Sequence, residues 1–432
     1  MSLKVVRRIT ALFFLVKIVQ LTIVYCTPRQ FDTSSHIILS SNIDSKFAFI
    51  HTASSYGIPK VLALTFTDIL DKFVVWDNVY FSDLFVNDIK FEHQYVFCPL
   101  WWRFVKYIGD HTKGDFYTVL FIGTIIANLC HYLSCIVLYF FTLETFARSK
   151  FFNHTNLVKL SERTSLLYVL SPAGIFLTTS CSESPCALLT FIGLYIREIS
   201  LDYNSFDLIN SKVSVRNPIT YIISGIIFAI SYGIRANSVL LGVLYLYDLY
   251  KFFIVNQNMK DSILSLIAGS NMFIAIVIST WFPYMVFCPN GRGEWCDSYF
   301  PSLFSYAQSH YWNNGFMKYW TPNNIPNFIF ALPTIILTVF ALQFYIVRYP
   351  FKNILPILFV NILLLIGGIF WWHTQILTRI SSFLPLIYWY IASLGLLNVG
   401  QDEIKVYHWS VRYFIIWSLL QTGLFAAFLP PA

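Results

Sequence analysis

Two acidic sites in the first quarter of the chain lie among aromatic residues, where a carboxylate could act on a sugar hydroxyl. Asp77 follows Trp76 in the stretch VVWDNVYFSDLF, and Glu92-His93 precedes the aromatic run of residues 95–102. A carboxylate can accept a proton as a bond forms, and an imidazole can bind a phosphate when it is charged. The structural alternatives are a loop aspartate that caps a helix and a solvated acid–base pair beside an interfacial tryptophan belt.

Two charged residues end apolar runs in the middle of the chain. Glu183 lies in the turn Ser182-Glu183-Ser184-Pro185, and Arg235 precedes Asn237 in the sequence RAN. A charge near the membrane is costly unless it is paired. Arg235 is therefore a candidate partner for Glu183 or for a lipid phosphate, and a snorkelling terminal arginine is the alternative.

The last third of the chain carries a polar gap and an aromatic loop. His373, Gln375 and Arg379 fall within WWHTQILTR and could bind a sugar phosphate. Tyr311 and Trp312 belong to the aromatic loop 306–320, which could stack on sugar rings. The alternative for this loop is an amphipathic lid that lies on the bilayer.

These residues must be positioned by apolar segments, because 56% of the chain is hydrophobic and only 12% is charged. A mean hydropathy of +0.61 is typical of a polytopic membrane protein. We predict an all-α protein with eleven spans and interfacial helices, forming a single integral membrane domain over residues 1–432. The predicted spans are 9–26, 116–143, 164–179, 185–199, 218–234, 238–255, 262–287, 327–347, 354–371, 380–399 and 413–429. For the two short segments around residue 180, the alternatives are a tilted span, a kink at Pro172 and Pro185, or a re-entrant segment.

Basic residues indicate the orientation of these spans. Lys4, Arg7 and Arg8 precede the first span, which predicts a cytosolic N-terminus. The other short loops assigned to the cytosol are also richer in lysine and arginine than the loops on the opposite side. A long loop (28–115) and a second large loop (288–326) face away from the cytosol, as do the polar groups described above. This segregation favours a membrane enzyme that works on one face, and the absence of a basic patch argues against nucleic-acid binding.

The cysteines show no metal-ligand spacing. Cys288 and Cys296 flank a polar segment of the second large loop and could form a disulfide if that loop faces an oxidising lumen. Free thiols are the alternative.

Seven short motifs occur in an order that resembles the PIG-V class of glycosylphosphatidylinositol (GPI) mannosyltransferases, from about residue 70 to 395. They are WDNVYF, FEHQYVFCPL, SPAGIFLTTSCSES, GIRANS, the CP–WC loop, SHYWNNGFMKYW with NNIPNFIFALP, and WWHTQILTRISSFLPLIYW. The resemblance implies a GT-C glycosyltransferase fold in the endoplasmic reticulum membrane with a lumenal active site. It also implies α-1,6 transfer from dolichyl phosphate mannose to the first mannose of a glucosaminyl-(acyl)phosphatidylinositol lipid, with Asp77 as the catalytic acidic residue.

A β-linked donor and an α-linked product imply an inverting single displacement, which needs one base and no covalent intermediate. We expect Asp77 to be that base. Glu92 and Glu183 are expected to orient other groups or to bind sugar hydroxyls. The candidates for holding the departing phosphate are Arg235, Arg379, His93 and His373. The scheme requires no cofactor, nucleotide or metal, and a divalent ion at Glu92-His93 is the alternative.

Three other functions are compatible with parts of this pattern. Another lumenal dolichyl-phosphate-sugar transferase would share the architecture. A transporter would show inverted repeats and ionisable residues at mid-membrane, whereas no repeat is evident and the ionisable residues gather on one side. An inactive scaffold subunit is the third, and a small membrane partner subunit is also left open.

Overall fold

The chain folds almost entirely into α-helices. The computed structural model describes residues 1–28, 32–148, 151–203, 212–349, 352–397 and 400–430. Within these ranges there are eighteen α-helices and one short antiparallel pair of strands. The all-α prediction is therefore confirmed.

The first nine helices are α1 (Leu3–Cys26), α2 (Thr33–Ser41), α3 (Ile43–Ser55), α4 (Lys60–Phe73), α5 (Asp77–Leu84), α6 (Pro99–Thr112), α7 (Phe116–Ala147), α8 (His154–Val169) and α9 (Glu183–Ser200). The other nine are α10 (Pro218–Ile234), α11 (Gly242–Tyr250), α12 (Met259–Phe287), α13 (Leu303–His310), α14 (Ile325–Arg348), α15 (Leu355–Phe370), α16 (Leu377–Ile380), α17 (Leu386–Leu394) and α18 (Gln401–Ala426). The strands are β1 (Leu201–Tyr203) and β2 (Val213–Val215), with Asp202 opposite Ser214.

Several helices are suited to a bilayer. Among the described residues, five helical segments are long and apolar enough to cross one, and two apolar helices are shorter. The long segments are Leu3–Cys26, Phe116–Ala147, Ala236–Val255, Met259–Phe287 and Pro322–Arg348, and the shorter helices are Pro218–Ile234 and Leu355–Phe370. The protein is thus a multi-pass membrane protein, and the number of eleven spans stays a prediction.

A continuous helix over the predicted span 164–179 is not found, because α8 ends at Val169 and a buried turn follows. Gly174 in this turn has φ +35°, and a Cβ at that position would meet the Gln421 side chain of α18 at 2.7 Å. The apolar residues here are buried against other helices rather than exposed to lipid. A short apolar run does not distinguish these two environments.

The predicted span 380–399 is also interrupted. A 3-10 helix at Ser381–Phe383 separates α16 from α17, and Pro385 directly precedes α17. Proline has no backbone N–H and disfavours a continuous helix. Residues 398 and 399 lie outside the described part of the chain.

The long first loop forms helices that pack against the bundle. Lys72 of α4 donates a hydrogen bond of 2.7 Å to the carbonyl of Tyr25, at the end of α1. Tyr117 of α7 donates one of 2.6 Å to Asp71. Helix α4 starts at Lys60 and leads directly to the turn before Asp77.

Helix α9 carries charged groups at both of its ends. Glu183 begins the helix, and Arg197 near the other end pairs with Asp248 of α11, with 2.9 Å between Nε and Oδ2. Tyr221 of α10 donates a second hydrogen bond of 2.6 Å to Asp248. The 18 residues of α9 span about 27 Å, close to the thickness of a hydrocarbon core. Two polar clusters therefore lie about one bilayer core apart.

The Arg197–Asp248 ion pair gives a stability prediction. Asp248→Asn leaves a buried guanidinium without its counter-charge, which should destabilise the fold by about 3–5 kcal/mol. Thermal unfolding in detergent should show a lower midpoint. Asp402→Asn is the matched control, since the ion pair of Asp402 with Lys405 is exposed and contributes little. Equal midpoints for the two variants would contradict a stabilising role for the buried pair.

Candidate active site

Asp77 follows a strained turn. Trp76 has φ 54° and ψ −138°, a conformation that a bulky residue adopts only when its surroundings hold it there. Val74 and Val75 are fully buried, and the side chain of Asn78 donates a hydrogen bond of 2.8 Å to the carbonyl of Phe73. Asp77 is thereby placed in the first turn of α5, where the helix dipole favours a negative charge. Its side chain is 34% exposed, so the carboxylate can reach a ligand.

Arg379 joins Asp77 to Glu183. Its Nη2 donates to Oδ2 of Asp77, and its Nε donates to Oε1 of Glu183. The guanidinium carbon also lies 4.3 Å from the centre of the Phe176 ring. Burial by itself lowers the pKa of Arg379, but the charges of Asp77 and Glu183 outweigh that effect and raise the pKa above its ordinary value. Arg379 therefore stays charged and holds one oxygen of Asp77.

Arg235 binds the other side of Glu183. Its Nη1 lies 2.8 Å from Oε1 of Glu183 and 3.0 Å from Oγ of Ser182, and its Nε lies 3.3 Å from Oδ1 of Asn237. The sequence left Glu183 and a lipid phosphate as alternative partners of Arg235, and Glu183 is the one found. Two carboxylates and two guanidinium groups thus form a cluster without net charge. In the described part of the protein, Nη2 of Arg235 has no hydrogen-bond acceptor.

His93 lies in an aromatic cluster beside Asp77. Its ring stacks on Phe91 and makes edge contacts with Tyr80 and Tyr311, both with centroids 5.4 Å away. Tyr80 lies three residues after Asp77 on α5, and the charge of Asp77 adds to burial in raising the pKa of Tyr80. Burial lowers the pKa of His93, so its imidazole is neutral at pH 7. Its Nε2 is buried and has no hydrogen-bond partner among the described residues.

Glu92 and Trp312 lie next to His93 in the same cluster. Glu92 accepts a hydrogen bond from the indole of Trp295, which lies in the second large loop. Trp312 contacts His93 with ring centroids 6.5 Å apart. Across the described residues, no group of three or more His, Cys, Asp or Glu could hold a metal ion.

His373 and Gln375 attach the aromatic loop to the segment between α15 and α16. His373 Nε2 lies 2.8 Å from the carbonyl oxygen of Trp312, and its ring stacks on Tyr319 with centroids 4.5 Å apart. The hydroxyl of Tyr319 donates a hydrogen bond of 2.6 Å to Gln375. Burial lowers the pKa of His373 although the bond to the Trp312 carbonyl opposes this. In this structure both side chains therefore position the loop that carries Tyr311 and Trp312.

The second large loop is also closed by a covalent bond, because Cys288 and Cys296 form a disulfide. The alternative of free thiols is thus ruled out for this pair in the structure. Glu294 and Trp295 lie between the two bonded cysteines, within the small loop that the disulfide closes.

Some residues of the site were not singled out from the sequence. Ser182 bridges Arg235 and Cys98, whose Sγ lies 3.3 Å from the Ser182 hydroxyl. Phe176 supports Arg379, and Trp76 packs on Phe428 with ring centroids 4.8 Å apart. Of these residues, only Ser182 could have been recognised from the sequence, because it directly precedes Glu183. The contacts of Cys98, Phe176 and Phe428 depend on segments that are far apart in the chain.

The fold and the site define a helical multi-pass membrane protein with a buried charge cluster at one end of its bundle. The sequence model of a family described as Mannosyltransferase (PIG-V) matches residues 6–359 and 349–432. The chain therefore belongs to the PIG-V mannosyltransferase family, and the resemblance noted from the motifs is confirmed.

Curated relatives cover nearly the whole chain. GPI mannosyltransferase 2 of Candida albicans is 44% identical over 427 residues, which cover 98% of this chain and 99% of the relative. The proteins of the same name from Saccharomyces cerevisiae and Eremothecium gossypii are 35% and 34% identical over 448 and 454 residues. These alignments cover 98% and 99% of this chain, and 99% of each relative.

The guanidinium of Arg379, which Asp77 and Glu183 share, leads to a testable prediction. Arg379→Lys keeps the positive charge but loses the planar fork that contacts Asp77 and Glu183 together. A shift of about 1 Å in a catalytic group costs on the order of 100-fold in rate, and we expect mannose transfer by microsomes to fall by that order. Arg348→Lys is the control, since Arg348 pairs with Glu403 and its side chain is 47% exposed. Normal transfer by Arg379→Lys would mean that the fork is dispensable.

Proposed function

We propose that this protein transfers mannose from dolichyl phosphate mannose to a GPI precursor that carries one mannose, forming an α-1,6 linkage. The reaction takes place on the lumenal face of the endoplasmic reticulum membrane. Membership of the mannosyltransferase family and the names of the relatives support this proposal. The single observation that carries it is the carboxylate of Asp77, held through one oxygen by a buried arginine and partly exposed beside an aromatic cluster.

The chemistry is a single displacement. The 6-hydroxyl oxygen of the acceptor mannose attacks C1 of the donor mannose, and the bond from C1 to the phosphate oxygen breaks. The phosphate leaves with the bonding electron pair, and Asp77 takes the hydroxyl proton on Oδ1. This route turns a β-linked donor into an α-linked product with one base and no covalent enzyme intermediate. Arg379 acts as a positioning residue, because its Nη2 holds Oδ2 while the Asp77 side chain stays 34% exposed.

The departing dolichyl phosphate needs positive charge and hydrogen-bond donors rather than a proton. Arg235 meets this need best, since its Nη2 is uncommitted among the described residues while Nη1 and Nε are held by Ser182, Glu183 and Asn237. Arg379 donates both of its observed side-chain hydrogen bonds to carboxylates. The neutral rings of His93 and His373 supply hydrogen bonds or packing rather than charge.

The aromatic cluster is suited to the acceptor. Tyr80, Tyr311 and Trp312 surround His93, and aromatic faces stack on the apolar faces of sugar rings. The prenyl chain of the donor lies in the bilayer between helices, and the scheme needs no nucleotide or metal.

Asp77→Asn tests the base. The amide cannot take the hydroxyl proton, so we expect transfer to be abolished while the protein stays folded in the membrane. Microsomes are assayed with dolichyl phosphate mannose and the one-mannose precursor, and the product linkage is determined. Asp83→Asn is the control, because Asp83 lies on the same helix and binds only Asn87 among the described side chains. Near-normal turnover by Asp77→Asn would remove Asp77 from this role.

The same assay tests the reaction class. Transfer to a different lipid acceptor, with none to the one-mannose precursor, would identify another dolichyl-phosphate-sugar transferase instead. The lipid that accumulates on depletion of the protein gives an independent answer, since a one-mannose GPI precursor is expected.

Arg235→Ala tests the phosphate contact. A hydrogen bond to a charged group contributes about 1.5–3 kcal/mol, so the donor KM should rise by about 10-fold or more while the acceptor KM changes little. Arg292→Ala is the control, since Arg292 is an exposed arginine of the second large loop. Equal rises in both KM values would count against a contact with the donor phosphate.

A further inference from the structure

We propose that Phe428, after the end of α18, is a positioning residue that holds Asp77 in place through Trp76. The proposal rests on the function proposed above, because it assigns Phe428 a role in placing the base. It goes beyond that function in making the last helix of the described chain a support of the reaction.

The backbone at the end of α18 is unusual for its sequence. The N–H of Phe428 bonds to the carbonyl of Phe425 at 3.1 Å, and the N–H of Leu429 bonds to that of Leu424 at 2.8 Å. This pair of bonds is a Schellman motif, in which the left-handed residue is most often glycine. Phe428 occupies that position with φ 57°. This conformation costs a bulky residue free energy. Contacts of the Phe428 side chain must therefore compensate for that cost.

The side chain of Phe428 is turned towards the strained turn before Asp77. Its ring centroid lies 4.8 Å from that of Trp76, with an angle of 36° between the two planes. Trp76 holds an unfavourable φ of 54°, and such conformations persist only when surrounding contacts over-determine them. Without the Phe428 ring, Trp76 can relax, and Asp77 is the next residue in the chain.

The same end of α18 supports the partner of Asp77. Phe425 is fully buried, and its ring makes an edge contact with Phe176 at 5.3 Å. Phe176 in turn lies under the guanidinium of Arg379. The end of α18 therefore contacts the residue before Asp77 through Phe428, and the ring that supports Arg379 through Phe425.

Phe428→Gly separates a positioning role from a packing role. Glycine suits the left-handed conformation, which offsets part of the packing lost with the ring, so kcat is measured per folded molecule. Loss of the ring should lower kcat by about 10-fold, with donor and acceptor KM values within about twofold of wild type. Phe428→Tyr should restore kcat. Leu429→Ala is the matched control, since Leu429 is 51% exposed and should keep wild-type kcat.

A double variant tests the route of the effect. If Phe428 acts through Trp76, then Phe428→Gly should cause little additional loss of kcat in a Trp76→Ala background. Losses that multiply would overturn the proposed route. If Phe428→Gly lowers the amount of folded protein, Phe428→Leu keeps apolar volume without the ring, and kcat per folded molecule is then the measurement.

The outcomes distinguish this inference from the function on which it rests. Wild-type kcat in Phe428→Gly, together with an inactive Asp77→Asn, overturns the positioning role and leaves the proposed base in place. Activity in Asp77→Asn removes the base itself, whatever Phe428→Gly does. A lower kcat per folded molecule in Phe428→Gly, rescued by Phe428→Tyr, supports the inference.

Discussion

The candidate site depends on one buried guanidinium shared between two carboxylates. Arg379 contacts Asp77 and Glu183, and Arg235 contacts Glu183 from the other side. Removing charges from water is expensive, so such groups are stable inside a protein only when their charges balance and their hydrogen bonds are made. This requirement ties α5, α9, α16 and the junction after α10 to one point. Among the described residues, the same contacts leave Oδ1 of Asp77 without a side-chain hydrogen bond, and we propose this oxygen as the base.

The membrane imposes a second constraint on the same groups. Ionised side chains are costly at mid-bilayer, and α9 accordingly carries Glu183 at one end and Arg197 at the other. The Arg197–Asp248 pair holds α9 to α11 at the far end. At the near end, the charge cluster lies beside the aromatic cluster around His93. The lipid-linked donor that we propose fits this division, since its chain would stay in the bilayer while its head meets the charged end.

Residue types alone predict some of the contacts in the site and most of the helices, but not all of them. Glu183 and Arg235 were plausible partners because a charge at the end of an apolar run needs compensation. His373 and Gln375 contact Trp312 and Tyr319 and hold the aromatic loop, a role that the sequence did not indicate, and their binding of a sugar phosphate stays a prediction. The run 164–179 was predicted to be a span, but it is divided between the end of α8 at Val169 and a buried turn. In both cases the missing information was which distant segment lies against these residues.

The sequence alone determined the helical membrane class, the family and the residues that carry charge near the ends of apolar runs. Hydrophobicity and local motifs are properties of short segments, so they can be read without a fold. The tertiary structure decided the pairings, namely that Arg379 reaches Asp77, that His93 is neutral in an aromatic cluster, and that Phe428 meets Trp76. These depend on contacts between residues hundreds of positions apart, and packing rather than local pattern decides which of them meet.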